Sequence, residues 1–134
     1  MKTTVFALLA LAAVTALAAP SSCKIDSSHT CPSFEADHMG GLSVWRGKFR
    51  NTEGTVQLDA AAHRGAIDIT VDTTSIDFGY DKLNVHAKSA DMFDVVKFPT
   101  ATYKGTFSRF KGQVPTEVTG ELTLHGVTKP VKLV

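Results

Sequence analysis

Apolar and polar residues alternate along several segments of the chain, and clusters of turn residues separate those segments every eight to twelve positions. In the first segment, residues 43–50, Trp45 and Phe49 share one face, while Arg46 and Lys48 lie on the other. An alternation of period two predicts β-strands with one buried face and one wet face. Five such segments predict an all-β protein whose antiparallel strands surround a single core, as in a sandwich or a barrel. The other four segments are 55–59, 67–72, 101–108 and 117–124.

The same alternation predicts which side chains face the interior. A barrel of about eight strands either fills with side chains or encloses one slender ligand, so interior residues are candidate ligand contacts. Gly47, Gly105 and Gly120 lie on interior faces, where a missing side chain marks a close approach by a neighbouring strand or by a bound molecule. We interpret these glycines as favouring the bound molecule. The predicted interior wall consists of Trp45, Phe49, Ile67, Ile69, Val71, Tyr103, Phe107, Leu122 and Leu124.

One stretch interrupts the strands. From about residue 78 to residue 97 the apolar residues recur at three- and four-residue steps, which predicts a short helical excursion. Ser89 is a candidate N-cap for a second helix within it, with Asp91 in the first turn of that helix. Pro99 ends the excursion, because the residue before a proline is pushed towards extended geometry.

An excursion of this length is typical of a functional lid, although it also suits a plug that only seals the core. As a lid, it would use Leu83, Phe93 and Phe98 to close one end of the barrel and to touch the end of a ligand. His86 and Lys88 would supply polar contacts to an acidic head group. The pattern leaves the choice between lid and plug open.

The N-terminus has the three parts of a signal peptide: the positive charge of Lys2, an apolar run over residues 5–17, and a small-residue exit that ends at Ala18. The run is shorter than the roughly 20 residues that a membrane-spanning helix needs. We therefore predict a signal peptide at residues 1–18, no transmembrane segment, and a single secreted domain at residues 19–134.

The balance of charges narrows the list of partners. Without residues 1–18, which include Lys2, the chain has 13 basic and 13 acidic residues and a net charge near zero. Nucleic-acid binding depends on a concentrated basic surface, so we expect no nucleic-acid partner. No linker, charge block or internal repeat divides the rest of the chain, which suits one domain.

Catalytic motifs are missing from the sequence. It contains no G-x-S-x-G, H-E-x-x-H, phosphate-loop or dinucleotide-binding pattern. The five histidines do not occur in pairs two or four residues apart, so they form no metal-binding pattern. We therefore expect a protein that is not an enzyme and holds neither a metal nor a cofactor.

Two cysteines, Cys23 and Cys31, follow the predicted signal peptide, and their spacing is not that of a C-x-x-C metal or redox motif. An oxidising compartment permits a disulfide between them. Eight residues of extended chain span about 26 Å, however, whereas bridged Cα atoms lie about 6 Å apart. The bridge would need a chain reversal at residues 26–28, and the sequence leaves it open.

Short motifs along almost the whole chain after the predicted signal peptide resemble those of the YceI-like family, also called the polyisoprenoid-binding domain. The longest, GELTLHGVTKP at 120–130, is similar to the family's G-x-L-T-L-H-G-V-T-K-P throughout. The segment HAKSADMFD at 86–94 resembles H-L-R-S-x-D-F-F-D, with Ala87, Lys88 and Met92 in place of the usual Leu, Arg and Phe. The other matching segments are 25–30, 38–43, 46–49, 73–77 and 98–100.

The resemblance implies a lipocalin-like, eight-stranded antiparallel barrel whose apolar tunnel holds an isoprenoid lipid, such as an isoprenoid quinone or a polyprenyl chain. It implies non-catalytic binding, storage or transport of that lipid in the periplasm. Lys88 is a point charge where the family's arginine offers a planar fork, so the preferred head group stays open. Two alternatives stand beside this function: a stress-response or structural partner protein with a filled barrel, and an enzyme of isoprenoid or quinone metabolism.

The resemblance also implies further strands beyond Val134. About seven strands can be counted in the chain: one region at 23–37, the five alternating segments, and a final strand at 128–134. A barrel that lacks a strand keeps two edges of unpaired amide and carbonyl groups. We therefore expect a C-terminally truncated barrel domain that self-associates, with a homodimer as one form, and binds lipid weakly.

Overall fold

The computed structural model describes residues 20–134, which form an all-β protein with one α-helix. The predicted signal peptide, residues 1–18, lies outside the described residues. Among the helices of the described part, none is long and apolar enough to cross a membrane. The elements are β1 (Ser21–Lys24), β2 (Ser33–His38), β3 (Ser43–Phe49), β4 (Thr52–Asp59), β5 (Arg64–Asp72), β6 (Ile76–Asp77), α1 (Asp81–Lys88), β7 (Thr100–Lys111), β8 (Val114–Leu124) and β9 (Val127–Leu133).

The strands form two antiparallel sheets. The larger sheet has six strands in the order β1-β4-β5-β7-β8-β9, and the smaller sheet has three in the order β2-β3-β6. Within residues 20–134 the outer strands of the larger sheet, β1 and β9, do not pair with each other, so this sheet is open. The prediction of an all-β, antiparallel fold with a short helical excursion is confirmed.

The described residues contain nine strands, where the sequence pattern indicates about seven. The region at 23–37, predicted as one strand, divides into β1 and β2, which lie in different sheets. The division occurs at Asp26, whose carboxylate accepts hydrogen bonds from the backbone N–H and the hydroxyl of Ser28 and so stabilises a turn. Ile76 and Asp77 form the short β6 against the end of β3. Two residues are too few for an alternation to be visible in the sequence.

Cys23 and Cys31 lie on either side of this turn, and both thiols are free and exposed. Cys23 is opposite Val56 of β4, whereas the carbonyl of Pro32 accepts a hydrogen bond from the N–H of Phe49 at the end of β3. Cys23 thus pairs within the larger sheet while Cys31 leads into the smaller one, and this fold does not bridge the two cysteines.

The register of the larger sheet aligns its apolar positions in rows. Ile69 of β5 pairs with Tyr103 of β7, which in turn pairs with Leu122 of β8. Because alternate residues of a strand point to opposite faces, these three side chains share one face, which we call the inner wall. The opposite face carries ion pairs, such as that between Lys104 and Asp68 at 3.1 Å.

A buried cluster lies between the smaller sheet and the excursion. Phe49 of β3, Ile76 of β6 and Ala87 of α1 are 8%, 2% and 0% exposed. Aromatic rings pack around them: the ring centroid of Phe34 lies 5.6 Å from that of Phe49, and the ring centroid of Phe93 lies 5.7 Å from it. We call this group the phenylalanine cluster; its members are Phe34, Phe49, Ile76, Phe78, Ala87 and Phe93.

The excursion contains one α-helix, α1, and residues 89–99 form turns. Ser89, predicted to cap a second helix, is the C-cap of α1, and its hydroxyl donates to the carbonyl of His86 at 2.7 Å. Asp94 has a φ of 44°, which a right-handed helix does not allow. The prediction of a second helix is therefore wrong, because the candidate cap serves the helix that precedes it.

Asp77 connects α1 to the smaller sheet. Its carboxylate accepts hydrogen bonds from the N–H of Gly79 at 2.8 Å, from the Arg50 side chain at 2.6 Å and from the Asn84 amide at 3.1 Å. These bonds, that from Gly79 foremost, lower the pKa of Asp77 from 3.8 to about 2. Asn84 lies on α1, so the same carboxylate fixes the position of the helix.

Protonation of Asp77 by acid is expected to destabilise the fold. A carboxyl group with a lowered pKa stabilises the folded state above its unfolded pKa, near 4, and this contribution is lost as the pH falls through about 2. We expect Asp77→Asn to lower the free energy of unfolding at pH 6 and to flatten its decrease between pH 4 and pH 2, measured by urea unfolding. Asp91→Asn, at an exposed position of the same excursion, is the control. Equal effects in both variants would contradict the role of Asp77.

Candidate functional site

The inner wall of the larger sheet is apolar and only half covered. Ile67, Ile69 and Leu122 lie on the inner strands of the sheet, yet each keeps partial contact with solvent. Tyr103 is 8% exposed, and its hydroxyl donates to the carbonyl of Val131 at 2.9 Å, which joins β7 to β9 across β8. Burial raises the pKa of Tyr103, so its hydroxyl stays protonated and acts as a hydrogen-bond donor.

The residues predicted for the interior wall are divided between the two sheets. Trp45 and Phe49 belong to β3 in the smaller sheet. Phe49 lies in the phenylalanine cluster, and Trp45 is half-buried with its ring nearly parallel to that of Tyr80, 6.3 Å between centroids. Val71 packs against the cluster from the end of the inner wall, so it links the two sheets. The residues that share the inner wall are Ile67, Ile69, Val71, Tyr103, Phe107, Leu122 and Leu124.

The aromatic residues predicted to close one end of the barrel do not meet at one point. The ring of Phe93 packs against those of Phe34 and Phe49, with 5.7 Å between centroids in each case. The ring of Phe98 instead packs on that of His125, in the turn between β8 and β9, at 4.4 Å. Phe93 and Phe98 thus contact other side chains of the protein, as expected of a plug that seals the core. Contact of either residue with a ligand stays a prediction.

The other predicted residues of the excursion lie on α1. Leu83 is half-buried, and His86 is exposed in the last turn of the helix. Lys88 is half-buried, and its charge contributes to the lowered pKa of Asp72, after the larger effect of the hydrogen bond from the Thr74 hydroxyl. Contact between a head group and either His86 or Lys88 stays a prediction.

Protein atoms fill the space beside the three glycines of the interior faces. A Cβ atom at Gly47 would lie 2.7 Å from the ring of Phe34, and one at Gly105 would lie 2.7 Å from the side chain of Val118. A Cβ atom at Gly120 would collide with the backbone of β7. Our interpretation that these glycines favour a ligand is therefore wrong, because neighbouring strands and side chains explain them.

Sequence reasoning missed Phe34, Tyr80 and Thr52. Phe34 and Ala36 share one face of β2, and that alternation is visible in the sequence, although it lies in a region predicted as a single strand with β1. Tyr80, which precedes α1 and is 49% exposed, belongs to no periodic pattern. Thr52 shares a face of β4 with Val56 but is not recognisable as a wall residue, because its side chain carries a hydroxyl.

A serine, a histidine and an aspartate meet in the turn after β1. Ser28 Oγ lies 2.9 Å from His29 Nδ1, and the same nitrogen lies 2.8 Å from a carboxylate oxygen of Asp26. In a catalytic triad the nucleophile and the acid bind opposite nitrogens of the imidazole. His29 and Asp26 are also 83% and 63% exposed, so their contacts stabilise a surface turn. In the part of the chain that the structure describes, no three metal-ligating side chains come together.

An antiparallel sheet with an apolar inner wall, and with a smaller sheet and a short helix packed at one end, places the protein in the lipocalin-like β-barrel class, here with an open sheet. The chain belongs to the YceI-like family, because the family model described as the YceI-like domain matches residues 23–134. The resemblance of the sequence motifs to this family is thereby confirmed.

Relatives of known sequence or structure agree with this assignment. The chain is 35% identical over 131 residues to the protein YceI of Escherichia coli strain CFT073, covering 96% of this chain and 66% of that protein. It is 35% identical over 122 residues to a UPF0312 protein of Azotobacter vinelandii, covering 90% of this chain and 63% of that protein. The crystal structure of Burkholderia cenocepacia BcnA matches with a TM-score of 0.62 and 25% identity, over 76% of this chain and 63% of that chain. The protein thus spans about two thirds of the length of these relatives.

Proposed function

We propose that the protein binds the hydrocarbon chain of an isoprenoid lipid, such as an isoprenoid quinone or a polyprenyl chain, and stores or transports it in the periplasm. The half-covered inner wall is the observation that supports this proposal most. Burial of apolar surface contributes about 25 cal/mol per Å², and large apolar surfaces left uncovered mark sites of binding. A hydrocarbon chain that lies along the rows of the wall would remove this surface from water.

Membership of the YceI-like family supports an isoprenoid as the occupant, because the motifs at 86–94 and 120–130 resemble those of the polyisoprenoid-binding domain. The chemistry of the wall agrees with an uncharged chain. Ile67, Ile69 and Leu122 offer only hydrocarbon surface, and the hydroxyl of Tyr103 is already donated to a backbone carbonyl. A chain without charge needs no ion pair on such a wall.

The proposed role is non-catalytic. General acid–base catalysis needs a titratable group with a free hydrogen-bonding position beside the substrate. Tyr103 is buried in the inner wall, and its hydroxyl is already donated to the carbonyl of Val131. Asp68 and Lys104 of the neighbouring strands pair with each other on the opposite face. The wall therefore offers a surface for binding rather than a reacting group.

The filled-barrel alternative also has an observation in its favour. The contacts of Gly47 with Phe34, and of Gly105 with Val118, are made by the protein itself. A structural or stress-response partner protein would need no more than such internal packing. The two functions differ in one measurable way, since only the first predicts a lipid that co-purifies with the protein.

Leu122→Trp is expected to remove the bound lipid, because an indole at this position occupies the middle of the inner wall. The measurement is mass spectrometry of organic extracts from the full chain, purified without detergent and then loaded from vesicles that contain ubiquinone. We expect the extract of Leu122→Trp to contain at least about tenfold less isoprenoid than that of the wild type, as loss of roughly 1.4 kcal/mol of binding energy would produce.

The matched control is Glu121→Trp, which places the same side chain on the exposed face of the same strand. We expect this variant to retain the lipid of the wild type. An isoprenoid-free wild type after loading would reject the proposed function and favour the filled barrel. Equal lipid contents in the two tryptophan variants would place the lipid elsewhere than on the inner wall.

A further inference from the structure

We infer that the hydroxyl of Thr52 binds a neutral oxygen at the head of the isoprenoid, an inference that rests on the proposed function. Thr52 is 1% exposed, and its Oγ1 has no hydrogen-bond partner among the described residues. Thr73, which is equally buried, donates its hydroxyl to the carbonyl of Phe98 at 2.7 Å. The contrast shows that this fold satisfies one buried threonine and leaves the other without a partner.

An unpartnered buried hydroxyl destabilises the ligand-free protein, because folding removes its hydrogen bonds to water without replacing them. Most buried polar groups in native proteins do find a partner. A valine has nearly the same shape as threonine and would avoid this loss, so the ligand-free fold does not account for a hydroxyl at position 52. Local departures from the most stable choice are expected at functional sites, and here a ligand would supply the missing partner.

Thr52 lies where the inner wall meets the phenylalanine cluster. It is opposite Val71, and Val71 packs against the cluster. A hydrocarbon chain that lies on Ile69 and its neighbours would therefore have one end at Thr52.

The surroundings of Thr52 favour a neutral head group. Its neighbours across and along the sheet are Val71 and Gly54, and the nearby cluster is apolar. Burial of a phosphate without a cation costs far more than burial of a carbonyl or a hydroxyl. The threonine hydroxyl can donate to a quinone carbonyl or accept from a prenol. The ligand class is thus an isoprenoid quinone or alcohol rather than a prenyl phosphate.

The head group must displace a side chain to reach this hydroxyl, because Oγ1 is sealed from solvent. Phe93 belongs to the cluster against which Val71, the residue opposite Thr52, packs, and it comes from the turns at 89–99, which are not part of either sheet. Its withdrawal would break the hydrogen bond from its N–H to the carbonyl of Ala87 but no strand pairing.

Thr52→Val separates the hydroxyl from the shape of the side chain. The probes are farnesene, farnesol and farnesyl phosphate, which share one hydrocarbon chain and differ only in the head. We expect the wild type to bind farnesol more tightly than farnesene and farnesyl phosphate. Thr52→Val is expected to weaken farnesol binding roughly five- to tenfold, to leave farnesene binding unchanged, and to raise the unfolding temperature of the ligand-free protein by about 3–6 °C.

The matched control is Thr55→Val, on the opposite face of the same strand, which is expected to bind all three probes as the wild type does. Equal farnesol affinities in Thr52→Val and the wild type would overturn the inference, as would equal losses for farnesol and farnesene. Tighter binding of farnesyl phosphate than of farnesol by the wild type would contradict the inference that the head group is neutral. A wild type that binds neither farnesene nor farnesol would reject the proposed function together with this inference.

Discussion

Phe49→Ala is expected to remove a large part of the folding stability of the protein. Phe49 is 8% exposed, and its ring contacts those of Phe34 and Phe93 in the phenylalanine cluster. Replacement of a buried phenylalanine by alanine typically costs about 3–5 kcal/mol, partly through the cavity that it leaves. Small domains are stable by only about 5–15 kcal/mol. We expect urea unfolding at neutral pH to show a loss of this size, together with a weaker near-ultraviolet circular dichroism signal.

Val44→Ala is the control for this prediction. Val44 lies on the same strand but is 48% exposed, so its truncation is expected to change the free energy of unfolding by no more than about 0.5 kcal/mol. A loss below about 1 kcal/mol in Phe49→Ala would mean that the cluster is not the main core at this end of the molecule. The comparison therefore tests the cluster independently of any ligand.

Gly120→Ala is expected to loosen the pairing of β7 with β8. A Cβ atom at position 120 would lie 2.5 Å from the Cα atom of Gly105 and closer still to the carbonyl of Lys104. Both obstacles are backbone, so the strands themselves must separate, and overpacking of this kind costs about 1–3 kcal/mol. Tyr103 and Leu122 form the next row on the same face. We expect faster amide hydrogen exchange in β7 and β8, and reduced lipid loading.

The control is Gly112→Asn, in the turn that joins the same two strands. Gly112 has a φ of 61°, and a Cβ atom at this position would meet no other atom within 4 Å. Asparagine tolerates this left-handed conformation. The amide hydrogen exchange rates of Gly112→Asn in β7 and β8 are expected to match those of the wild type. Wild-type exchange in Gly120→Ala would show that the two strands can separate at little cost.

Most of the strands could be predicted from the sequence because one face of each strand is more exposed to solvent than the other. Residues 67–72 and 101–108 carry this contrast, and both lie in observed strands. The observed β7 and β8 extend beyond the predicted segments, to Lys111 and from Val114. The register of the pair shifts between Phe107 and Phe110, so Phe110 follows Phe107 by three positions and the alternation of period two is lost at this end of the hairpin.

Assignment of residues to sheets, and therefore to the site, could not be predicted in the same way. Trp45 and Ile69 follow the same alternation, yet they lie in different sheets. The alternation of a strand specifies a face and not a neighbour, since pairing depends on residues far away in the chain. The missing partner of Thr52 was likewise invisible, because a threonine is compatible with both faces of a strand and its hydrogen bonds depend on the whole fold.

The excursion lies in the chain between β5 and β7, which pair with each other in the larger sheet, and this order affects the rate of folding. The turns between β4 and β5, between β7 and β8, and between β8 and β9 are short, so these pairs can form as local hairpins. The pairing of Val71 with Ala101, in contrast, closes a loop that contains the whole excursion. Loop closure of this kind must occur before its contacts form, and it slows folding. Residues added to the turns at 89–99 are therefore expected to slow folding slightly and to leave the unfolding rate almost unchanged.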